Sequence, residues 1–368
     1  MKKMKLKTSM LAVSAVVAAI AADSASAQSS VNIYGLLDTG VMYVSNVGGN
    51  KLFKIDPGAQ APNLWGITGR EDLGGGLKAV FKLEGQIDLN SGAAINGLFG
   101  HQAYVGVSDS KYGTLTAGNQ IDFMFDSLIA DRWGPAFPFV NAMSLRQGGF
   151  VGLDNRRGFM NGSFDFDRSL GAPIANSIKY QSPVFSGLSF GAQYAFGGVA
   201  GSFSTNSGQS YGVNYHIGNV SLNGAYTYIK SYDSKNFPTA PESNIRNFGF
   251  GTSWVLGNTE LGALYTNTAN TVNGAQIGVY EADVTYTFSP FLHAHLEYQY
   301  MKGNGVLNNA HANQETLTVL YSLSKRTSIY SALALQQASG MNAQILMTPG
   351  ASSGGRQTAF DLGLIHSF

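Results

Sequence analysis

From Leu77 to Asn90 the sequence LKAVFKLEGQIDLN changes character at nearly every residue. Leu77, Ala79, Phe81, Leu83, Gly85, Ile87 and Leu89 occupy one parity; Lys78, Val80, Lys82, Glu84, Gln86, Asp88 and Asn90 occupy the other. A period of two puts these sets on opposite faces of an extended strand. The run covers fourteen residues, against about 5–6 for an average strand. Leu292, Ala294, Leu296, Tyr298 and Tyr300 alternate in the same way with His293, His295, Glu297 and Gln299. At the end of the chain Phe360, Leu362, Leu364, His366 and Phe368 face away from Asp361, Gly363 and Ser367. Comparable runs begin near Val31, Asn63, Phe99, Tyr112, Asn176, Leu188, Gln209, Val220, Asn244, Thr259, Gln276, His311 and Thr327, bringing the total to sixteen. Turn signals such as Ser182-Pro183, Gly218-Asn219, Gly257-Asn258 and Ser289-Pro290 separate them.

An even number of alternating strands of about ten residues is the pattern of a transmembrane barrel. In lipid every backbone N–H and C=O needs a protein partner, and a closed sheet supplies them without leaving an edge. The outward parity must then be apolar while the inward one is free to be polar. A soluble sandwich alternates too, but its dry core does not admit the Lys, Glu, Asp, His and Gln of the polar parity here. A water-filled lumen does. The fold expected is all-β: a sixteen-stranded antiparallel transmembrane β-barrel.

Composition agrees. Charged residues are 12% of 368, about half the soluble norm of ~25%, as a lipid-facing parity requires. Glycine, with 46 residues, suits curved strands and tight turns. Candidate interfacial girdle residues are Tyr43, Tyr180, Tyr215, Tyr286, Tyr321 and Phe368. A net charge of +1 gives no footprint for nucleic acid. The absence of cysteine excludes disulfides, thiolate metal sites and a cysteine nucleophile.

The first segment is set apart. Lys2, Lys3, Lys5 and Lys7 precede an apolar run, Met10 to Ala22, and Ala25-Ser26-Ala27 forms a small-x-small cleavage site. Residues 1–27 are expected to be a secretory signal peptide and 28–368 one barrel domain. The apolar run of 13 residues is short of the ~20 that a spanning helix needs. Removing the four lysines and Asp23 from 23 basic and 22 acidic residues leaves 19 against 21.

Several stretches resemble the general diffusion porins of Gram-negative outer membranes, in particular the trimeric sixteen-stranded type of β-proteobacteria. They are VNIYGLLDTG (31–40), WGITGREDLGGGLKAVFKLEGQID (65–88), AYVGVSDSKYGTLTAGNQ (103–120), NSIKYQSPVFSGLSFGAQYAFG (176–197) and DLGLIHSF (361–368). The resemblance implies outer-membrane location, a homotrimer, short periplasmic turns, long external loops and a long third loop folded into the lumen. That loop would run from about Ile121 to Ala172. The terminal Phe368 resembles the signal read by the outer-membrane assembly machinery. Porins of this type narrow the pore between loop acids and a ladder of wall arginines. Here Leu64, His101 and Pro173 stand at the arginine positions, and Ala136 replaces the acid that often follows the loop proline.

Selectivity in a wet pore comes from charges facing one another at the narrowest point. Candidates for the constriction are Asp38, Lys82, Glu84 and His101 on the wall and Asp122, Asp126, Asp131 and Arg168 on the loop. For Asp38 a structural hydrogen-bonding role stands beside the filter role. Histidine, unperturbed, titrates near pH 6.5, so His101 in a lumen would make the filter charge depend on pH. Arg156, Arg157 and Arg168 could replace part of the ladder or form a solvated rim.

Enzyme readings find no support. His293, His295 and Glu297 share a strand face, but residues two apart lie about 7 Å from one another, whereas a metal needs ligands converging within ~2.2 Å. G-x-S-x-G occurs at 187–191 and 208–212, but inside alternating runs rather than at a strand-to-helix elbow, and H-E-x-x-H does not occur. No cofactor or metal is expected. The reading is a porin passing small hydrophilic solutes and ions by passive diffusion. The alternative is a substrate-preferring porin, motivated by the arginine-poor wall and by Phe123, Phe125, Trp133, Phe137 and Phe139 on the loop.

Overall fold

The structure, a computed structural model, describes residues 29–153, 164–230 and 243–368. The expected signal peptide, Arg156 and Arg157 lie outside the described residues. The strands are β1 (Ser30–Val47), β2 (Asn50–Asp56 and Leu64–Gly74), β3 (Leu77–Asp88), β4 (Ala93–Ile95 and Gln102–Asp109), β5 (Gly113–Ile121) and β6 (Pro173–Gln181). They continue with β7 (Leu188–Ala195), β8 (Gly208–Ile217), β9 (Val220–Ile229), β10 (Ile245–Leu256) and β11 (Thr259–Asn270). The last are β12 (Gln276–Ser289), β13 (Leu292–Gly303), β14 (His311–Ser322), β15 (Thr327–Ser339) and β16 (Arg356–Ser367).

Each strand pairs antiparallel with its neighbours in sequence, and β1 pairs with β16 from Leu36↔Ser367 to Val44↔Ala359. The sheet is therefore closed. Both segments of β2 lie on β1, and both segments of β4 lie on β3. The 18 strand segments thus make a barrel of 16 strands. The sequence pattern locates only the second segment of each split strand. Alternation stops at 57–63 and 96–101, where the chain leaves the sheet. Pro57 and Pro62 cannot donate to the ladder, and the backbone N–H groups of Gln60 and Ala61 turn to the Asp38 carboxylate instead, at 2.7 and 2.9 Å.

Short turns and both ends of the barrel domain share one rim. The β10–β11 turn is Gly257-Asn258 between the pair Leu256↔Thr259. Gly257 has φ +59°, a conformation that two-residue hairpins demand and glycine adopts without strain. Longer connections gather at the other rim, although the one between β1 and β2 is only Gly48-Gly49.

The outer face carries the apolar parity. Phe250 is 66% and Leu362 56% exposed, which in water would be costly and in lipid is favourable. Tyr215, Tyr286, Tyr321 and Phe368 are exposed near the short-turn rim, as a girdle requires. The apolar core lies inside the barrel. Phe123, Met124, Leu128 and Trp133 from the β5–β6 connection pack with Ala225 and Leu264 of the wall. Met143, together with Ile345 of the β15–β16 connection, packs on Met42, Ala332 and Ala359.

Candidate functional site

The chain between β5 and β6 enters the barrel through a capped turn. Asp122 Oδ1 accepts the Met124 N–H at 3.1 Å at the start of Phe123–Phe125, and the helical turns Asp126–Asp131, Gly134–Phe139 and Ala142–Ser144 follow. The other Asp122 oxygen receives Arg168 Nε, and Arg168 also donates to the Ala172 carbonyl. Entrance and exit of the loop are therefore clamped to each other.

One flank of the loop is seated on β11–β15. Arg132 donates to Asp283 at 2.7 Å and also pairs with Glu281; Arg146 pairs with Glu281 and lies 3.4 Å from Asp167. None of these side chains is more than 1% exposed. Trp133 Nε1 donates to Asp283 at 3.2 Å. Gln314, Gln336 and Asn270 donate to the Met143, Gln147 and Leu153 carbonyls at 2.7, 2.9 and 2.8 Å. The wall here presents acids and the loop arginines, the reverse of the arrangement the resemblance implies. The His293–His295–Glu297 trio is absorbed by the same seat. His293 stacks on Phe139 with ring centroids 3.8 Å apart, and His295 meets Thr285 Oγ1 at 2.8 Å and the edge of Trp133.

The opposite flank faces β1–β4 across a cavity of about 740 Å³. There Lys82, Glu84 and His101 come together around the Glu84 carboxylate. Lys82 Nζ lies 2.8 Å from Oε2, His101 Nδ1 2.6 Å from Oε1, and Gln102 Nε2 3.1 Å from Oε1. Tyr34 donates its hydroxyl to Oε2. Four donors fill the acceptor sites of one carboxylate. Because a carboxylate only accepts, His101 carries its proton on Nδ1 when neutral, and protonation adds the second proton at Nε2. The side chains of Lys82 and His101 remain 22% and 13% exposed and line the cavity.

The other sequence-nominated residues are dispersed and paired. Asp38 is fully buried: besides Gln60 and Ala61 it accepts the Tyr330 hydroxyl at 2.9 Å. These contacts join it to the inward excursion 57–63, and it is not among the residues lining the cavity. Asp126 pairs with Lys179, which also donates to the Ile121 carbonyl at 2.8 Å. Burial pushes the Asp126 carboxyl above the ordinary carboxylate range while Lys179 pulls it down. Asp131 accepts from Asn223 at 2.7 Å and lies 2.8 Å from His216 Nε2. Phe368 exchanges backbone hydrogen bonds with Gly35 at 3.0 and 3.2 Å, and its ring fills the space a Gly35 side chain would need.

Sequence reasoning left out Tyr34, Arg146, Lys179, Glu281 and Asp283. Strand parity would have found most of them. Lys179 shares a face with Ser177, and Glu281 with Asp283. Arg146 lies in a non-periodic stretch and carries no such signal.

A closed antiparallel barrel with an apolar exterior and an inward parity rich in polar and charged side chains defines a membrane channel of the β-barrel class. The chain belongs to the Gram-negative porins: the model of that family matches residues 12–340. Outer membrane porin protein 32 of Delftia acidovorans is 27% identical over 99% of this chain and 100% of its own length. The structure of an anion-selective porin from Comamonas acidovorans superposes with a TM-score of 0.77, covering 93% of this chain and 100% of that one at 23% identity. A trimer form of OmpT from Vibrio cholerae gives 0.66 over 92% and 99% at 14% identity. The protein is an outer-membrane channel for passive diffusion rather than an enzyme.

Proposed function

We propose that this channel passes small hydrophilic solutes and ions of both signs with weak charge discrimination, through a constriction between the loop and the Lys82–Glu84–His101 wall. The observation that carries this is charge pairing. Each nominated loop acid has a cationic or histidine partner, Asp122 with Arg168, Asp126 with Lys179 and Asp131 with His216, while Glu84 has Lys82. An ion at the constriction therefore meets near-balanced charge rather than facing rows of opposite sign. The wall positions held by Leu64, His101 and Pro173 add no fixed guanidinium to tip the balance.

Phe368 closing the seam on β1 is consistent with its reading as an assembly signal, and a homotrimer is consistent with the trimer form of the Vibrio relative. The measurement that tests the central claim is the reversal potential of the purified channel in a planar bilayer under a tenfold KCl gradient. A value near zero with an ohmic current is expected. A potential approaching the Nernst limit for either ion overturns the balanced constriction, and absence of current after correct insertion overturns the channel reading.

A further inference from the structure

The lumen below the loop is not polar all round. Alternation predicts hydrophilic inward side chains, yet Leu36, Leu64, Leu320 and Ile365 line the 740 Å³ cavity together with the loop aromatics. Phe125 meets Phe137 edge-on with centroids 5.8 Å apart, and Phe137 lies roughly parallel to Trp133. Phe137 still keeps 36% of its surface exposed. An aromatic shelf open to a water-filled passage is expensive to leave wet and favourable to cover with another flat ring.

The charges around this shelf have a sign. Among the described residues lining the cavity the only acid is Glu84, whose acceptor sites are filled by Tyr34, Lys82, His101 and Gln102. The cations are Lys82 and, from the β14–β15 turn, Lys325 and Arg326. Neither Lys325 nor Arg326 has an ion-pair partner in the described residues. An anion entering the cavity finds open cationic donors, while a cation finds no carboxylate with a vacant lone pair.

We propose that this cavity is a weak binding subsite on the diffusion path for small aromatic carboxylates, the ring lying on Phe125 and Phe137 and the carboxylate turned toward the cations of the facing wall and turn. The volume falls in the range of sites for small organic ligands, about 300–1,000 Å³, so a one-ring acid fits with room for water to pass. The subsite rests on the channel reading and deepens it: it gives a passive pore a preferred class of solute without closing it.

Single-channel recording separates the two claims, since KCl conductance reports the open pore and solute block reports the subsite. Benzoate added to the short-turn side is expected to reduce the current in a saturable way. Acetate, which lacks the ring, and benzylammonium, which inverts the charge, are expected to act about tenfold more weakly, the factor that about 1.4 kcal/mol of ring contact or charge complementarity confers. Phe137→Ser should weaken benzoate block by a similar factor, and the double variant Lys325→Gln, Arg326→Gln should weaken it for benzoate but not for benzyl alcohol. Equal block by benzoate and acetate overturns the aromatic shelf, and equal block by benzoate and benzylammonium overturns the charge assignment. Benzoate block that survives Phe137→Ser in a channel of unchanged KCl conductance overturns the location.

Discussion

Two flanks of one lumen use the same chemistry for opposite ends. On β12, Glu281 and Asp283 grip Arg132 and Arg146 with essentially no solvent exposure. On β3, Glu84 grips Lys82, whose side chain is 22% exposed. In the first place the ions are sealed from water and their attraction is spent on fixing the loop. In the second the cations still face the passage and can act on what moves through it. Residue type does not separate a structural clasp from a filter group; burial does, because it sets both the cost of an unpaired charge and its reach into solvent.

Breaking the clasp should have the largest consequence. Arg132→Ala strands Asp283 in a dry site and leaves Glu281 with Arg146 alone, and loss of one partner of a buried pair costs about 3–5 kcal/mol. Thermal unfolding is expected to begin at a lower temperature, and single-channel traces should show a larger, noisier conductance as the loop leaves its seat. A quiet channel of unchanged size would mean that Arg146 and the apolar contacts of Phe123, Leu128 and Trp133 hold the loop without Arg132.

The wall flank should answer electrically rather than structurally. Glu84→Gln leaves Lys82 without its counter-charge. One unit charge about 4 Å from a passing ion is worth about 1 kcal/mol in water, so the chloride-to-potassium permeability ratio should rise roughly fivefold while the melting behaviour changes little.

The subtlest contrast lies at the far end of the loop. Burial, helped by neighbouring Asp167, pushes the Asp165 carboxyl from 3.8 up to about 8, although the Leu170 N–H donates to it at 2.7 Å. A raised acid holds its proton more tightly in the folded loop than in an open one. Its contribution is therefore complete below about pH 4 and is lost as pH rises toward 8. Hydrogen exchange at Leu170 should slow on acidification beyond the intrinsic chemical effect. Asp165→Asn, which keeps the acceptor and cannot ionise, should flatten that dependence.

The barrel was legible because lipid and a water-filled lumen impose opposite demands on alternate residues, and each strand writes that demand into local sequence. The segments missed, Asn50–Asp56 and Ala93–Ile95, adjoin places where the chain leaves the sheet, and there the period is lost. The site was half legible. Lys82, Glu84 and His101 meet on the wall, whereas Asp38 turned inward to hold backbone, a choice that depends on Gln60, Ala61 and Tyr330 arriving from distant parts of the chain.

By itself the sequence determined that this chain closes a sheet with an apolar outside, since period and parity are properties of neighbouring residues and the solvent they face. Only the tertiary structure decided which inward charges remain available. The loop has no period of its own, and the course of its described parts, 122–153 and 164–172, is set by which wall side chains they meet. Where it lies, Ile277, Val279 and Ala332 can be apolar and arginines can be buried; where it does not, Lys82 and His101 stay wet. Whether a lumen charge fastens the channel or filters it follows from that one long-range packing.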